Sequence, residues 1–176
     1  MISKLLACET LIGISWGVVL SIYAPTLVAS SVSYSLAMIF ATLSSIVASI
    51  LTGLALSKKI NLMPLVSIAL ILATVCDAKC LPFLIGFAVG VHGVYVVYVS
   101  GAKEFRGYSL SYSLSLFGIS LGAILFILGI PKEILALLSL AGVFYPEVVK
   151  KTDRREESRV PLAITLLRRS CRLFSS

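Results

Sequence analysis

Two ionisable side chains, Glu9 and His92, lie well inside long apolar stretches of this chain of 176 residues. Ionisable groups are costly inside a membrane, and by default they mark a functional site there. Glu9 could couple the movement of a solute to a proton gradient by binding and releasing a proton. His92 is the only histidine, and together with Tyr95, on nearly the same helical face, it could contact a solute or relay a proton.

Each of these residues also has a structural interpretation. Glu9 lies about 7 Å from the predicted end of its helix, at roughly 1.5 Å per residue, so its carboxylate could reach headgroup water near Lys4. His92 could be neutral and hydrogen-bonded to a neighbouring helix. The residue types alone leave both interpretations open.

Other patterns that could support chemistry are weaker. Residues 13–17 and 118–122 match the Gly-x-Ser-x-Gly pattern of a nucleophile elbow, but the pattern has meaning only at a strand-to-helix turn, and both copies lie in apolar helical sequence. Cys76 and Cys80 have only Asp77 as a nearby hard ligand, so no metal site is predicted. No phosphate-binding Gly-Lys-Ser loop occurs. We therefore predict neither an enzyme nor a cofactor.

The composition indicates a membrane protein. Hydrophobic residues make up 59% of the chain and the mean hydropathy is +1.04, which is more apolar surface than a soluble domain of this size could cover. The 48 residues from Thr10 to Ser57 contain no charged side chain. One span needs roughly 20 apolar residues, so this stretch predicts two spans with a turn between them.

The pattern predicts an all-α polytopic membrane protein whose residues 1–149 form a six-helix transmembrane domain. The first turn is expected at Pro25 with Ser30-Ser31, and all the turns are short, so sequential helices should be antiparallel neighbours. The third and sixth spans are short, so one of them could be tilted less or only partly inserted. The helices are expected at roughly 4–28, 33–57, 61–76, 80–102, 108–130 and 131–149.

The distribution of basic residues predicts the orientation. Thirteen of the fifteen Lys and Arg residues lie in every second gap between apolar stretches, and only Lys79 and Lys132 lie in the others. The face that is rich in Lys and Arg should be cytoplasmic. We therefore expect an integral protein of the cell membrane with both termini in the cytoplasm.

Residues 150–176 read as a basic cytoplasmic tail. The segment 150–159 carries both charge signs and resembles a solvated linker, whereas the sequence from Pro161 is amphipathic. The net charge of the chain is +7, and a basic helix beside a membrane is expected to bind anionic lipid headgroups. A frayed tail without lipid contact is the alternative. Aromatic and basic residues are not interleaved as on a nucleic-acid surface, so no nucleic-acid partner is predicted.

Small residues recur at intervals of four and predict where helices pack. In lipid, helices associate where small side chains allow their backbones to approach closely. Ordinary packing is the simple interpretation, and contact surfaces that slide or rock during a transport cycle are the alternative. The residues are Gly13, Gly17, Ser45, Ser49, Gly53, Gly86, Gly90, Gly118 and Gly122.

The order of these features resembles the amino-terminal six-helix half of a major facilitator superfamily transporter. In that family the first helix ends near a proline, as at Pro25 here. The second helix then runs into a cytoplasmic loop motif, which Gly53, Lys58 and Lys59 match in spacing. A short charged loop that ends in glycine follows the fourth helix, as at residues 103–107.

The chain also departs from the family pattern. Ser57 stands where the family has an aspartate, and Gly86 stands where the fourth helix usually carries an arginine. A full member has twelve helices in two halves, so the resemblance implies that a second copy or a partner membrane subunit completes the cavity.

Two functions follow as expectations. The resemblance favours a half-size secondary transporter, working as a homodimer, that moves a small solute through a cavity between faces of the first, fourth and fifth helices. Glu9 would then couple proton movement, and His92 and Tyr95 would contact the solute. The low number of polar groups inside the membrane favours the alternative, a non-transporting subunit or scaffold of a larger membrane complex.

Overall fold

The computed structural model describes residues 2–29, 33–58, 60–101 and 105–144, with side chains described within 6–29, 33–58, 60–98 and 112–144. Within these ranges the chain forms six α-helices, one 3-10 helix and no strand. The predicted turn at Ser30-Ser31, Lys59 and the lipid-binding tail at 150–176 lie outside the described residues. The helices are α1 (Ile2–Ala29), α2 (Tyr34–Ser57), α3 (Met63–Ala73), α4 (Leu81–Gly101), α5 (Phe105–Ile127) and α6 (Lys132–Leu137), followed by the 3-10 helix η1 (Leu138–Phe144).

Three helices of the described chain are long and apolar enough to cross a membrane. These are the segments Leu6–Ala29 of α1, Tyr34–Ser57 of α2 and Leu81–Tyr98 of α4. The prediction of an all-helical fold is therefore confirmed for the described residues, and the three long apolar helices are consistent with a membrane protein. The prediction of six spans goes further than this and stays a prediction.

The third and sixth helices are shorter than the sequence suggested. Helix α3 has 11 residues, which rise about 16 Å, roughly half of the 30 Å hydrocarbon core. Its last turn ends at Thr74, whose hydroxyl donates a hydrogen bond to the Ile71 carbonyl at 2.7 Å. Helix α6 has 6 residues before the chain tightens into η1. Neither α3 nor α6 can cross the core alone as a straight helix.

Helix α1 continues through Pro25 to Ala29, so the prediction that Pro25 begins the first turn was wrong. A proline inside a helix removes one backbone hydrogen bond, to the carbonyl four residues earlier. Transmembrane helices tolerate this because nearby Ser and Thr side chains bond to the backbone. The carbonyl that loses its donor is that of Ser21, whereas the hydroxyls of Ser21 and Thr26 donate to other carbonyls of the same stretch, those of Gly17 and Ile22, each at 2.7 Å.

The most extensive packing joins helices that are not adjacent in sequence. Helix α1 packs along α5 and α2 packs along α4, whereas α3 lies on α4 and η1 lies against α1 and α3. The prediction that sequential helices are neighbours is met by α3 with α4 and by α4 with α5, but α1 with α2 and α2 with α3 make no substantial contact. Residue numbers rise together across both main contacts, so each of these pairs runs parallel.

Within each parallel pair, the two helices contact each other at glycines. We call these contacts the α1/α5 seam and the α2/α4 seam. A Cβ on Gly122 would lie 2.7 Å from the Ile14 carbonyl carbon, and a Cβ on Gly86 would lie 2.8 Å from the Ala41 Cα. Real Cβ contacts are rarely shorter than 3.4 Å. The backbones therefore touch at a distance that any larger residue would prevent, as expected for association in lipid.

The predicted packing residues divide into two groups. Six glycines lie in close contact with the facing backbone, and Ser45 and Ser49 join them on α2, with the Ser49 hydroxyl donating to the Gly90 carbonyl at 3.3 Å. Gly53 has no atom within 4 Å of the place its Cβ would take. The prediction of helix packing was therefore wrong for Gly53, because no other described helix lies against this face of α2. The six glycines are Gly13, Gly17, Gly86, Gly90, Gly118 and Gly122.

Candidate functional site

A large open groove lies between the two parallel pairs. Its volume is about 1110 Å³, and its lining comes from α1, α2, α4 and α5. The sequence predicted a cavity between α1, α4 and α5, and α2 contributes a fourth side. The lining residues are Trp16, Leu20, Ser45, Ser49, Gly53, Leu56, Ser57, Val89, Gly90, His92, Gly93, Val94, Val96, Val97, Tyr98, Tyr112, Ser115 and Ile119.

The groove lies towards one end of the bundle. Its lining reaches Ser57, the last residue of α2, and Tyr98 near the end of α4, and on α5 it runs from Tyr112 to Ile119. The carboxyl ends of α2 and α4 and the amino-terminal half of α5 therefore surround it. Lys58 follows directly at the end of α2.

Three side chains form a continuous hydrogen-bonded series, two of them in the wall of the groove and the third behind it. The Trp16 indole N–H donates to Nδ1 of His92 at 3.2 Å, and Nε2 of His92 lies 3.1 Å from Oε2 of Glu9. Glu9 and Trp16 are seven residues apart, or two turns of α1, so they lie on one face with His92 of α4 between them. We call these residues the Trp16–His92–Glu9 chain.

The Trp16–His92–Glu9 chain is largely buried. The exposed fractions are 1% for Glu9, 5% for Trp16 and 7% for His92. The Glu9 carboxyl is therefore enclosed by protein, which argues against the interpretation that it reaches headgroup water. The hydrogen bond between His92 and a neighbouring helix exists, and its partner is the other candidate residue, Glu9.

The hydrogen bonds of the Trp16–His92–Glu9 chain indicate which nitrogen of His92 carries a proton. An indole N–H can only donate, so Nδ1 of His92 must accept and carries no proton. A neutral imidazole then has its proton on Nε2, which donates to Oε2 of Glu9. The imidazolium form has a proton on both nitrogens, so it cannot accept the bond from Trp16. The observed geometry is therefore that of a neutral His92.

Tyr95 is held away from the groove. Its hydroxyl donates to the Ile60 carbonyl at 3.2 Å and accepts from the Leu62 N–H at 2.9 Å. Its side chain is 1% exposed and does not line the groove. Tyr95 thus fixes the connection between α2 and α3, and this geometry argues against the predicted solute contact.

The groove presents few polar groups. The described lining contains no Asp, Glu, Lys or Arg. Its polar side chains are serines, two tyrosines, and the rings of Trp16 and His92. Most of the surface is aliphatic, from α4 in particular. The lining polar residues besides Trp16 and His92 are Ser45, Ser49, Ser57, Ser115, Tyr98 and Tyr112.

No protein-family model, curated protein or solved structure matches this chain. The described residues contain no group of three or more His, Cys, Asp or Glu side chains that could hold a metal ion. What the site can do therefore follows from its own geometry. A buried carboxyl and an imidazole in contact can exchange a proton beside an apolar groove, whereas the indole N–H can only donate and occupies Nδ1 of His92.

Glu9 and His92 were predicted from the sequence as site residues, whereas Trp16 was not. The signal was present, because Trp16 is the only tryptophan and lies seven residues after Glu9. That spacing places two residues on one face of a helix. A polar ring on the same face as an intramembrane acid is a reason to include it in the site.

Proposed function

We propose that this chain is a half-size secondary transporter that works as a homodimer and moves a small solute with Glu9 as the proton-coupling group. The observation that carries the proposal is the open groove with His92 in its wall and the Glu9 carboxyl directly behind it. A buried acid is costly within a membrane. Coupling of solute binding to proton binding would explain why an acid is present at this costly position.

The membrane topology belongs to the same proposal. Six spans would place both termini in the cytoplasm of a cell-membrane protein, and this count requires the chain to cross the core at the short helices α3 and α6 as well as at the four longer ones. By the positive-inside rule the end of α2 at Lys58 is cytoplasmic. Since the groove reaches that end of the bundle, it opens towards the cytoplasm in this arrangement.

The lining supports a solute without strong charge. The described wall offers hydroxyls of serine and tyrosine and a broad aliphatic surface. A charged solute would lose its hydration there without gaining a charged partner, which is unfavourable. We therefore propose an uncharged, largely apolar solute with a few groups able to form hydrogen bonds. The Glu9 carboxyl lies behind His92 and would not contact this solute.

A second copy of the chain is the proposed cover of the groove. The resemblance to one half of a major facilitator transporter supports two parallel copies around an axis along the membrane normal. A symmetric dimer of this kind uses the same face on both copies. Anionic lipid headgroups at the basic tail 150–176 are the other proposed partners.

The alternative function, a non-transporting subunit of a larger membrane complex, is favoured by one observation. Only 17% of the apolar window of α2 is buried, compared with 50% for α1 and 56% for α4. Helix α2 therefore presents a long apolar face that a partner subunit could cover as well as lipid could. The two functions differ in whether water enters the groove.

Water in the groove can be tested by cysteine labelling in a variant without other cysteines. Ser49→Cys lines the groove, and Ile50→Cys is a matched control at the same depth of α2, because Ile50 is 60% exposed but does not line the groove. With a transporter, a membrane-impermeant maleimide should label position 49 from the cytoplasmic side and leave position 50 unlabelled. Equal protection of both positions would favour the scaffold subunit.

Transport itself can be measured in proteoliposomes that contain a pH-sensitive dye. Uncharged apolar solutes added outside should change the internal pH with the wild-type protein. Glu9→Gln should abolish the solute-dependent pH change, because the amide cannot bind the coupling proton. If Glu9→Gln and His92→Ala both left uptake unchanged, the assigned site would be wrong. Crosslinking in native membranes would show whether the neighbour is a second copy.

A further inference from the structure

Among the described residues, His92 lies between the groove and Glu9. Trp16 and His92 line the groove, whereas Glu9 does not. The two nitrogens of His92 face opposite partners, Nε2 towards Glu9 and Nδ1 towards Trp16. A proton that arrives from the groove therefore meets the imidazole at Nδ1, and the indole N–H occupies that position.

We propose that Trp16 is a positioning residue that holds His92 as the Nε2–H tautomer and closes the proton path between the groove and Glu9. This inference rests on the proposed function and deepens it, because it names the group that controls proton entry at the same site. The indole bond and a proton on Nδ1 exclude each other, so the site has two states with different partners for His92.

The proton transfer between the two states is balanced. The indole of Trp16 first leaves Nδ1, and a proton from water in the groove binds there. His92 then passes its Nε2 proton to Oε2 of Glu9, which becomes a neutral carboxylic acid. The imidazole remains neutral as the Nδ1–H tautomer, and its Nε2 now accepts a hydrogen bond from Glu9. The pair has gained one proton, and the indole cannot bind again until that proton leaves.

Other titratable groups near this path do not replace Trp16. Cys8 lies beside Glu9 on α1, Tyr95 and Tyr98 follow His92 on α4, and Tyr112 faces the groove from α5. The described α3 carries no titratable side chain, and α2 carries Tyr34 at its start and is followed by Lys58. Both imidazole nitrogens are already bonded, to Trp16 and to Glu9. Proton entry at Nδ1 therefore requires the indole to move.

The inference can be tested by nuclear magnetic resonance on the full chain in lipid nanodiscs. The chain has one histidine and one tryptophan, so each ring gives a single set of ¹⁵N signals without assignment. At alkaline pH, His92 should be the Nε2–H tautomer with an unprotonated Nδ1. On acidification, the indole N–H signal of Trp16 and the Nδ1 signal of His92 should change with the same midpoint.

Variants separate the positioning role from general packing. Trp16→Phe keeps an aromatic ring but loses the donor, so His92 should take up a proton at a roughly two- to tenfold lower proton concentration, the range expected from one hydrogen bond. Glu9→Gln should move the midpoint in the acidic direction, because the transferred proton has no acceptor. Tyr95→Phe is the matched control, one turn along α4 and equally buried, and should leave the midpoint unchanged.

Two results would overturn the inference: an indole signal that stays constant while His92 titrates, or a midpoint that Trp16→Phe does not move. The first applies to the wild-type chain and needs no variant to fold. The titration requires no solute, so it is independent of uptake. If the Trp16 and His92 signals changed together but no solute were transported, only the proposed function would be refuted. If a solute were transported but the two signals changed independently, only the positioning role of Trp16 would be refuted.

Discussion

Gly86→Ala should destabilise the α2/α4 seam, whereas Gly53→Ala on the same pair of helices should not. The added Cβ at position 86 would lie 2.8 Å from both the Cα and the carbonyl carbon of Ala41. These are backbone atoms and cannot rotate away. The carbonyl oxygen of Ala41 would lie closer still, so the two helices must separate by more than about 0.6 Å to reach an ordinary contact of 3.4 Å.

The comparison with Gly53 isolates the packing effect. Both substitutions replace glycine by alanine inside a helix, so both gain the same helix propensity, up to about 1 kcal/mol. At Gly53 no atom lies within 4 Å of the new Cβ, and this gain is the whole effect. At Gly86 overpacking opposes it by about 1–3 kcal/mol. Because the gain in helix propensity is the same for both variants, we expect Gly86→Ala to be less stable than Gly53→Ala by the overpacking cost of about 1–3 kcal/mol.

The free energy of unfolding can be measured in mild detergent by titration with a denaturing detergent, with helical circular dichroism as the signal. Gly122→Ala offers a second seam position, since its Cβ would lie 2.7 Å from the Ile14 carbonyl carbon. The reasoning would be refuted if Gly86→Ala and Gly122→Ala were both as stable as Gly53→Ala. That result would mean that the helices are not held at backbone contact.

Three further variants test individual contacts with the same unfolding assay. His92→Ala removes the partner of the Trp16 N–H and of Oε2 of Glu9, and should cost about 2–3 kcal/mol, more than Glu9→Gln, whose amide oxygen still accepts. Tyr95→Phe leaves the Leu62 N–H without the hydroxyl acceptor. It should cost about 1–2 kcal/mol and speed hydrogen exchange there, with uptake retained. Lys132→Met removes the 2.7 Å bond to the Thr74 carbonyl and should cost about 1 kcal/mol, and an unchanged stability would show that this bond adds nothing.

The long helices could be predicted from the sequence, and the short ones could not. The limits of α2 were predicted to within one residue of Tyr34–Ser57, because a charge-free stretch of fixed length has to end near the membrane surface. The end of α3 depends instead on a local bond of the Thr74 hydroxyl, and its beginning depends on Tyr95 from α4. Apolar composition gives no information about such bonds.

The stripes of small residues predicted that helices approach closely but not which helices meet. Gly13 and Gly118 could each pack against any other small face, and the spacing of four is the same on every helix. The pairing of α1 with α5 and of α2 with α4 follows from the shape of the whole bundle, which no local pattern contains. Gly53 has the right spacing and still lies outside the contact.

The site was only partly predictable for the same reason. Glu9 and His92 were chosen because ionisable groups inside a membrane are rare, which is a property of the sequence. Their contact spans 83 residues and depends on how α4 lies against α1. Tyr95 was chosen for its spacing from His92, but the connection between α2 and α3 takes its hydroxyl.

The two kinds of contact in this bundle imply where it can move. Within each parallel pair, backbones touch at glycines, and sliding would drive a carbonyl into the facing helix because close-packed surfaces deform little. Between α1 and α4 the backbones are farther apart, and the contact there includes the hydrogen bonds of His92 to Trp16 and Glu9. Hydrogen bonds between side chains can be exchanged at small net cost when water or a proton replaces the partner. We therefore expect the α1/α5 pair to rock against the α2/α4 pair about the groove, with the seams unchanged, so that the groove changes shape when the bond between Trp16 and His92 opens.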